Sequence, residues 1–149
     1  MRVTLIHIGP RSIAKDGFEA LTAAYLQRCT AFAQCDLRAF KGEKAMLDWL
    51  DTQHGRATAV AVLCDSRGRQ MSSDAFARWL GVRRDQGAQH IAFAVGPPDG
   101  WSDAARERAG LLLALGPFTL PHALARLVLA EQIYRAFTIL AGHPYHCGH

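Results

Sequence analysis

Ile91-Ala92-Phe93-Ala94-Val95, followed at once by Gly96-Pro97-Pro98-Asp99-Gly100, is the stretch that decides the fold. An unbroken apolar run of strand length, closed by a glycine-proline turn, is the pattern of a strand covered on both faces. Ala57 to Leu63 repeats it upstream, and Leu111 to Leu115 repeats it downstream before Gly116-Pro117. Val3 to Ile8 is a fourth apolar strand, and Cys35 to Phe40 alternates like a half-buried one, with Cys35, Leu37 and Ala39 on one side.

Between these runs the period changes from strand to helix. Phe18 to Phe32 carries Leu21, Tyr25, Leu26 and Cys29 at helical spacing, and Glu43 to Gln53 presents Met46, Leu47 and Leu50. Ser72 to Arg84 reads as a helix capped by Ser72 or Ser73, and Ser102 to Arg108 as a short one capped by Ser102. A long helix closes the chain from Pro121 to Ala141, with proline in a first-turn position and an apolar face through Leu124, Leu127, Val128, Tyr134, Phe137 and Leu140. Five strands, each followed by a helix, predict an α/β fold: a mostly parallel sheet with helices on both faces.

Composition sets the outer bounds. The chain has 149 residues, half of them apolar and a fifth charged, which predicts one ordered domain over 1–149. No apolar run approaches the ~20 residues of a membrane-spanning helix, and Met1 to Gly9 reads as a strand rather than an export signal. Cys29, Cys35, Cys64 and Cys147 form no C-x-x-C, so free thiols in a reducing cytoplasm are expected. The formal charge is +4, with fourteen Arg against three Lys, which is compatible with a nucleic-acid partner. Only Arg67-Gly68-Arg69 and Arg83-Arg84 are tightly clustered. A solvated surface explains either cluster equally well.

In open parallel sheets, ligands bind beyond the carboxyl ends of the strands. Here those ends read Gly9-Pro10, Cys64-Asp65-Ser66-Arg67-Gly68, Gly96 to Gly100, and Gly116-Pro117-Phe118-Thr119-Leu120-Pro121. Glycine admits a close backbone approach and proline stiffens the loop. Tight turns alone would account for any one of them; several together point to a preformed pocket lined by main chain. Neither a G-x-G-x-x-G nor a P-loop sequence is present, so a ligand without a phosphate cradle fits better.

The most specific stretch is Glu131-Gln132-Ile133-Tyr134-Arg135-Ala136-Phe137, preceded by Phe118-Thr119-Leu120-Pro121-His122 and followed by Pro144-Tyr145-His146. This combination resembles the RlmH family, the large-subunit ribosomal RNA pseudouridine N3-methyltransferases of the SPOUT class. Leu63-Cys64-Asp65-Ser66-Arg67-Gly68 with Ser72-Ser73-Asp74-Ala75-Phe76-Ala77 is similar to a further family segment, and Ile91 to Gly96 to the strand before its glycine loop. The resemblance implies a C-terminal trefoil knot, a feature almost absent from other folds. It implies a homodimer, S-adenosylmethionine as cofactor, and a pseudouridine of helix 69 in the 23S rRNA of the assembled 70S ribosome as substrate. Cofactor contacts then fall on Cys64, Gly96, Pro97, Leu115, Gly116, Pro117, Phe118, Thr119, Leu120 and Pro121.

The same resemblance assigns the chemistry to the tail. His146 is the candidate to assist loss of the N3 proton, with Tyr145 and Arg135 positioning the base or its phosphate. Each has a plainer alternative: a terminal residue for His146, an i,i+4 pair with Glu131 for Arg135. Tyr134 is expected in the core or a dimer seam with Leu127 and Phe137, His122 at the helix start, and Asp65 capping a turn. Arg67 and Arg69 are candidate phosphate contacts. His143, His146, Cys147 and His149 suit a transition metal by composition, but the spacing is loose and no metal is assigned.

Two departures from the family pattern stand out. Pro97 replaces a second glycine and removes a backbone donor, and Cys147-Gly148-His149 replaces a basic residue after Tyr-His. They motivate the alternative of a ribosome- or RNA-binding homologue with lost or weakened catalysis.

Overall fold

The computed structural model describes residues 1–9, 17–53 and 57–147; Pro10, Gly148 and His149 lie outside the described residues. Strand β1 is Arg2–Ile8, helix α1 Phe18–Cys29, β2 Gln34–Phe40, α2 Glu43–Thr52 and β3 Val60–Gln70. They are followed by α3 Ser73–Asp85, β4 His90–Val95, α4 Asp103–Arg108, β5 Leu111–Ala114, α5 His122–Leu140 and a 3-10 turn at Pro144–His146. The strands form one sheet in the order β2-β1-β4-β3-β5, and every pairing is parallel.

The two faces of the sheet bury different sets. Val3, Leu5, Val62, Ile91, Phe93 and Leu113 pack under α1, α3 and α5, while Ile6, Ile8, Ala61, Leu63, Ala92 and Ala94 pack under α2 and α4. Alternate residues of one strand thus enter opposite cores, which is why the central strands are apolar throughout. Phe93 lies opposite Leu5 on one side and Val62 on the other, at the centre of the larger core.

Ser72 and Ser102 cap α3 and α4 as predicted, each accepting from the amide three residues on at 3.1 Å. Three readings need correction. Helix α1 stops at Cys29 rather than Phe32, because a turn carries Phe32 out to stack on Phe137 at 5.6 Å. Pro121 is the N-cap of α5, in extended conformation, rather than its first-turn residue. The buried residues of α5 are Ala125, Arg126, Leu129, Ala130, Ile133, Ala136, Phe137 and Thr138, so small side chains make up much of the covered face. Leu124, Leu127, Val128, Tyr134 and Leu140 flank it; Tyr134 and Leu140 pack against the core, as expected of Tyr134, which also meets Tyr25, Phe32 and Tyr145.

The largest departure is β3. Its apolar half ends where predicted, but the strand runs on through Gln70. Leu113 of β5 pairs with Cys64 and again with Arg69, so residues 65–68 bulge out of the ladder and return. Sequence periodicity cannot show this, since the second half is polar and joins by backbone alone. The return demands glycine: a Cβ on Gly68 would lie 2.6 Å from the Leu112 carbonyl carbon and oxygen.

One polar chain runs from the half-buried Arg2 and Asp36 to the buried Thr4 and His90 at the opposite end of the strands. Arg2 donates to Asp36 at 2.7 Å, the Thr4 hydroxyl donates to Asp36 at 2.6 Å, and His90 Nε2 lies 2.9 Å from that hydroxyl. A hydroxyl has one proton, and an ionised carboxylate only accepts. His90 Nε2 therefore carries the hydrogen and donates to Thr4. Burial, then the nearby Arg2, pushes the imidazole below its ordinary 6.5 against the opposing pull of Asp36.

Two predictions follow from these packing facts. Gly68→Ala should destabilise the fold by about 1–3 kcal/mol in denaturant titration, because the clash is with backbone rather than a movable side chain. Above pH 6.5 both folded and unfolded His90 are neutral; below it the unfolded chain binds a proton that the folded chain resists. Stability should therefore fall as pH is lowered through that range, and the fall should flatten in His90→Gln. An unchanged slope in the variant would assign the loss to another group.

Candidate functional site

The carboxyl ends of β4 and β5, with the Cys64–Arg67 stretch where β3 leaves its ladder, border an open cavity of about 440 Å³. Its size is in the range of small-molecule sites, ~300–1,000 Å³. Of the residues predicted to hold a cofactor, Cys64, Gly96, Pro97, Leu115, Gly116, Phe118, Thr119 and Leu120 line it. Pro117 and Pro121 belong to the same β5–α5 connection but do not line the cavity. Phe118 is 84% exposed, an apolar side chain held at the mouth.

The β4–α4 loop is tied down at both ends. The Gly100 amide donates to the Pro97 carbonyl at 3.0 Å, with Gly100 at φ +82°. Proline suits the inner position that Pro98 takes in this turn. No residue other than glycine has positive φ among those described, so Pro97 occupies a backbone conformation proline accepts. The Ser102 amide then donates to Glu43 of α2 at 2.8 Å, and its hydroxyl donates to the other Glu43 oxygen. Glycine at position 96 answers to space rather than φ: a Cβ there would meet the Trp101 ring at 2.6 Å.

Charge in the wall is paired. Asp65 accepts from the Arg67 amide at 2.9 Å, the turn-capping role expected of it, and from Arg106 Nε at 2.8 Å. Burial raises the carboxyl, but Arg106 and the Arg67 amide outweigh it and hold Asp65 below the usual carboxylate range. Burial pushes the Cys64 thiol up to about 12, so it stays protonated and is no nucleophile near neutrality. Arg67 reaches the cavity with its side chain two-thirds exposed; Arg69 is exposed on the returning half of β3.

The tail residues gather elsewhere. Arg135 donates to Glu131 Oε1 from Nε at 2.9 Å and from a terminal nitrogen at 2.6 Å, which is the i,i+4 pair anticipated. Tyr145 donates to the same oxygen at 3.0 Å, and the Arg135 guanidinium lies 5.0 Å from its ring centre. Burial, then contacts with Tyr25 and Glu131, push the Tyr145 phenol above its ordinary value. Half-buried His146 follows, 3.9 Å from the Cys147 sulfur. Arg135 and Tyr145 thus meet at Glu131, His146 is the next residue along the chain, and none of the three lines the cavity of its own chain. Among the described residues no group of three His, Cys, Asp or Glu could hold a metal; His149 lies outside them.

Sequence reasoning missed Trp101 and Arg106 as wall residues, and it placed His122 at the helix start without giving it the cavity edge it also occupies. Trp101 had a signal: a tryptophan directly after a glycine-proline turn at a strand end. Arg106 had none, because its pairing with Asp65 spans α4 and the β3 bulge.

The family described as "Predicted SPOUT methyltransferase" matches residues 1–146. "Ribosomal RNA large subunit methyltransferase H" of Koribacter versatilis is 42% identical over 149 residues, covering the whole of both chains. The protein of the same name from Rhodospirillum centenum is 58% identical over 88 residues, 59% of this chain and 58% of that one. Among solved structures, the SpoU methyltransferase AviRb of Streptomyces viridochromogenes, solved in complex with AdoMet, superposes with a TM-score of 0.53 at 12% identity. That superposition covers 94% of this chain and 58% of AviRb, and it bears on the fold alone.

The Asp65 pairing carries a prediction. Its carboxyl is depressed when folded, so its contribution is present above the unfolded value of 3.8 and is lost as pH falls through the depressed value. Asp65→Asn should lower the unfolding midpoint at pH 7 and shrink the gap to wild type in strong acid. An equal gap at both pH values would show that packing, not charge, holds the bulge.

Proposed function

The chain belongs to the RlmH family of SPOUT methyltransferases, and we propose that it uses S-adenosylmethionine to methylate N3 of a pseudouridine in helix 69 of 23S rRNA on the assembled ribosome. It acts in the cytoplasm, as a homodimer of single-domain chains whose C-terminal part is knotted. The observation that carries this reading is the cavity itself. It is built from the same three strand-end segments in which the family pattern places its cofactor, within a chain matched over its full length. Among the described residues no helix is long and apolar enough to cross a membrane.

The residues fit the group they would hold. Gly96 lets the Trp101 ring into the wall where any Cβ would collide, and the β5–α5 connection brings Leu115 and Gly116 to the cavity. When bound, S-adenosylmethionine supplies a methyl group made electrophilic by its sulfonium. The chain's task is then alignment and exclusion of water, from which much of the rate of an in-line displacement derives. Loops stiffened by Pro97, Pro98 and Pro117 lose little freedom on binding. His146 takes the N3 proton, and Arg135 and Tyr145, already oriented by Glu131, hold the nucleotide. Arg67 at the cavity mouth meets backbone phosphate.

The tail lies away from the cavity of its own chain, so in this reading the homodimer completes each site: one protomer supplies the cofactor cavity, its partner the tail. Calorimetric titration with S-adenosylmethionine tests the first half, and methylation of intact ribosomes the second. Absence of binding at millimolar cofactor would favour a non-catalytic ribosome-binding homologue.

We expect Arg135→Ala to cut methylation about ten- to hundredfold, the worth of a charged hydrogen bond, with a far smaller effect on the fraction folded. Unchanged turnover would remove Arg135 from the site. Sedimentation at micromolar concentration should give about twice the 16.3 kDa chain mass; a monomer would count against a shared site.

A further inference from the structure

Trp101 is the side chain that joins two of the three strand ends. Its indole N–H donates to the Cys64 carbonyl of β3 at 2.8 Å. Its ring fills the space that a side chain at position 96 would occupy, with Cε2 2.6 Å and Nε1 2.8 Å from an ideal Cβ on Gly96. The residue is 4% exposed, yet it lines the cavity. Gly100 on one side and the Ser102–Glu43 bond on the other fix where the indole sits.

These contacts bear on the cavity because of what the ends of β3 and β4 contribute to it. Cys64 sits where β3 leaves its ladder with β4 and β5 and begins the bulge. Its carbonyl accepts the Trp101 indole N–H at that point, a bond from outside the sheet that helps fix its direction. Gly96 is the first residue beyond β4, and the next residue, Pro97, has no N–H with which to anchor the loop. Packing of Gly96 on the indole supplies the anchor instead. Among the described residues no other side chain donates to the Cys64 carbonyl.

We propose that Trp101 is a positioning residue for the cofactor, holding the Cys64 and Gly96 backbone at the separation that S-adenosylmethionine requires. The inference rests on the reading of this cavity as the cofactor site. Trp101 acts through the backbone of two neighbours and does not touch the transferred methyl group. Its loss should therefore weaken cofactor binding while leaving the chemical step alone. A purely structural role would do the reverse, reducing the active fraction and hence kcat at unchanged KM.

The test compares wild type with Trp101→Phe, which keeps most of the apolar filling and removes the donor, and Trp101→Leu, which removes both. The readouts are the S-adenosylmethionine Kd by calorimetry on the folded protein, and KM and kcat on intact ribosomes. In Trp101→Phe we expect Kd and KM to rise about tenfold, the worth of one buried hydrogen bond, with kcat at saturating cofactor within about twofold of wild type. Gly96→Ala should raise Kd in the wild-type background and less so with Trp101→Leu, where the added methyl enters vacated space; that coupling reads the contact directly. An unchanged Kd in both Trp101 variants, or a loss confined to kcat, overturns the inference while leaving the cofactor reading intact. Failure of wild type itself to bind overturns the cofactor reading, and this inference with it.

Discussion

The double pairing of Leu113 is the constraint on which the site depends. One residue of β5 lies opposite both Cys64 and Arg69, so the intervening segment of β3 has to leave the sheet and come back. The excursion turns a strand end into a wall: Asp65, Ser66 and Arg67 face a cavity that a straight strand would have closed. Its return is possible because Gly68 lets two backbones approach to a distance no other residue permits. Parallel order, with β3 between β4 and β5, then brings the ends of all three strands to one place.

Polarity is handled differently at the two ends of the sheet. At the amino end, Arg2, Asp36, Thr4 and His90 form a closed chain in which each acceptor has a donor, and the proton inventory fixes the histidine tautomer. Such a network holds β2, β1 and β4 in register. At the carboxyl end, the Asp65–Arg106 pair borders open space, and Arg67 extends into solvent. The closed network serves the fold, and the open one leaves charge available to a ligand. Pairing with Arg106 and the Arg67 amide keeps the Asp65 carboxylate ionised against its burial, so the mouth stays a mixed-sign surface rather than a purely basic one.

The layered fold was legible because burial on both faces leaves a trace in single strands: Ile91 to Val95 has no polar residue to misread. The helix caps were legible because Ser72 and Ser102 stand directly before their helices. The β3 extension was not, since Ser66 to Gln70 joins the sheet by main chain and carries solvent-facing polar side chains. The α5 stripe was misjudged for a related reason. Large apolar residues mark a helix face by hydropathy, but Ala125, Ala130 and Ala136 are among its buried positions, and hydropathy gives such small side chains little weight. Most of the cavity wall was anticipated from glycine and proline at strand ends. Arg106 was not, because its place follows from a tertiary pairing that no local pattern encodes.

The Glu131 carboxylate carries the argument about the tail furthest. It accepts from Arg135 and Tyr145, and its other oxygen accepts from Gln132, whose own carbonyl accepts from Ser73 at the start of α3. The two segments richest in family-like residues, one around Ser72–Ala77 and one around Glu131–Phe137, are therefore bonded to each other. Their joint effect is to fix the start of the tail against α5 and α3, while the cavity is fixed by β3, β4 and β5. Under the proposed reading the cavity of one chain and the tail of another make up one site, so that reading requires two chains to associate.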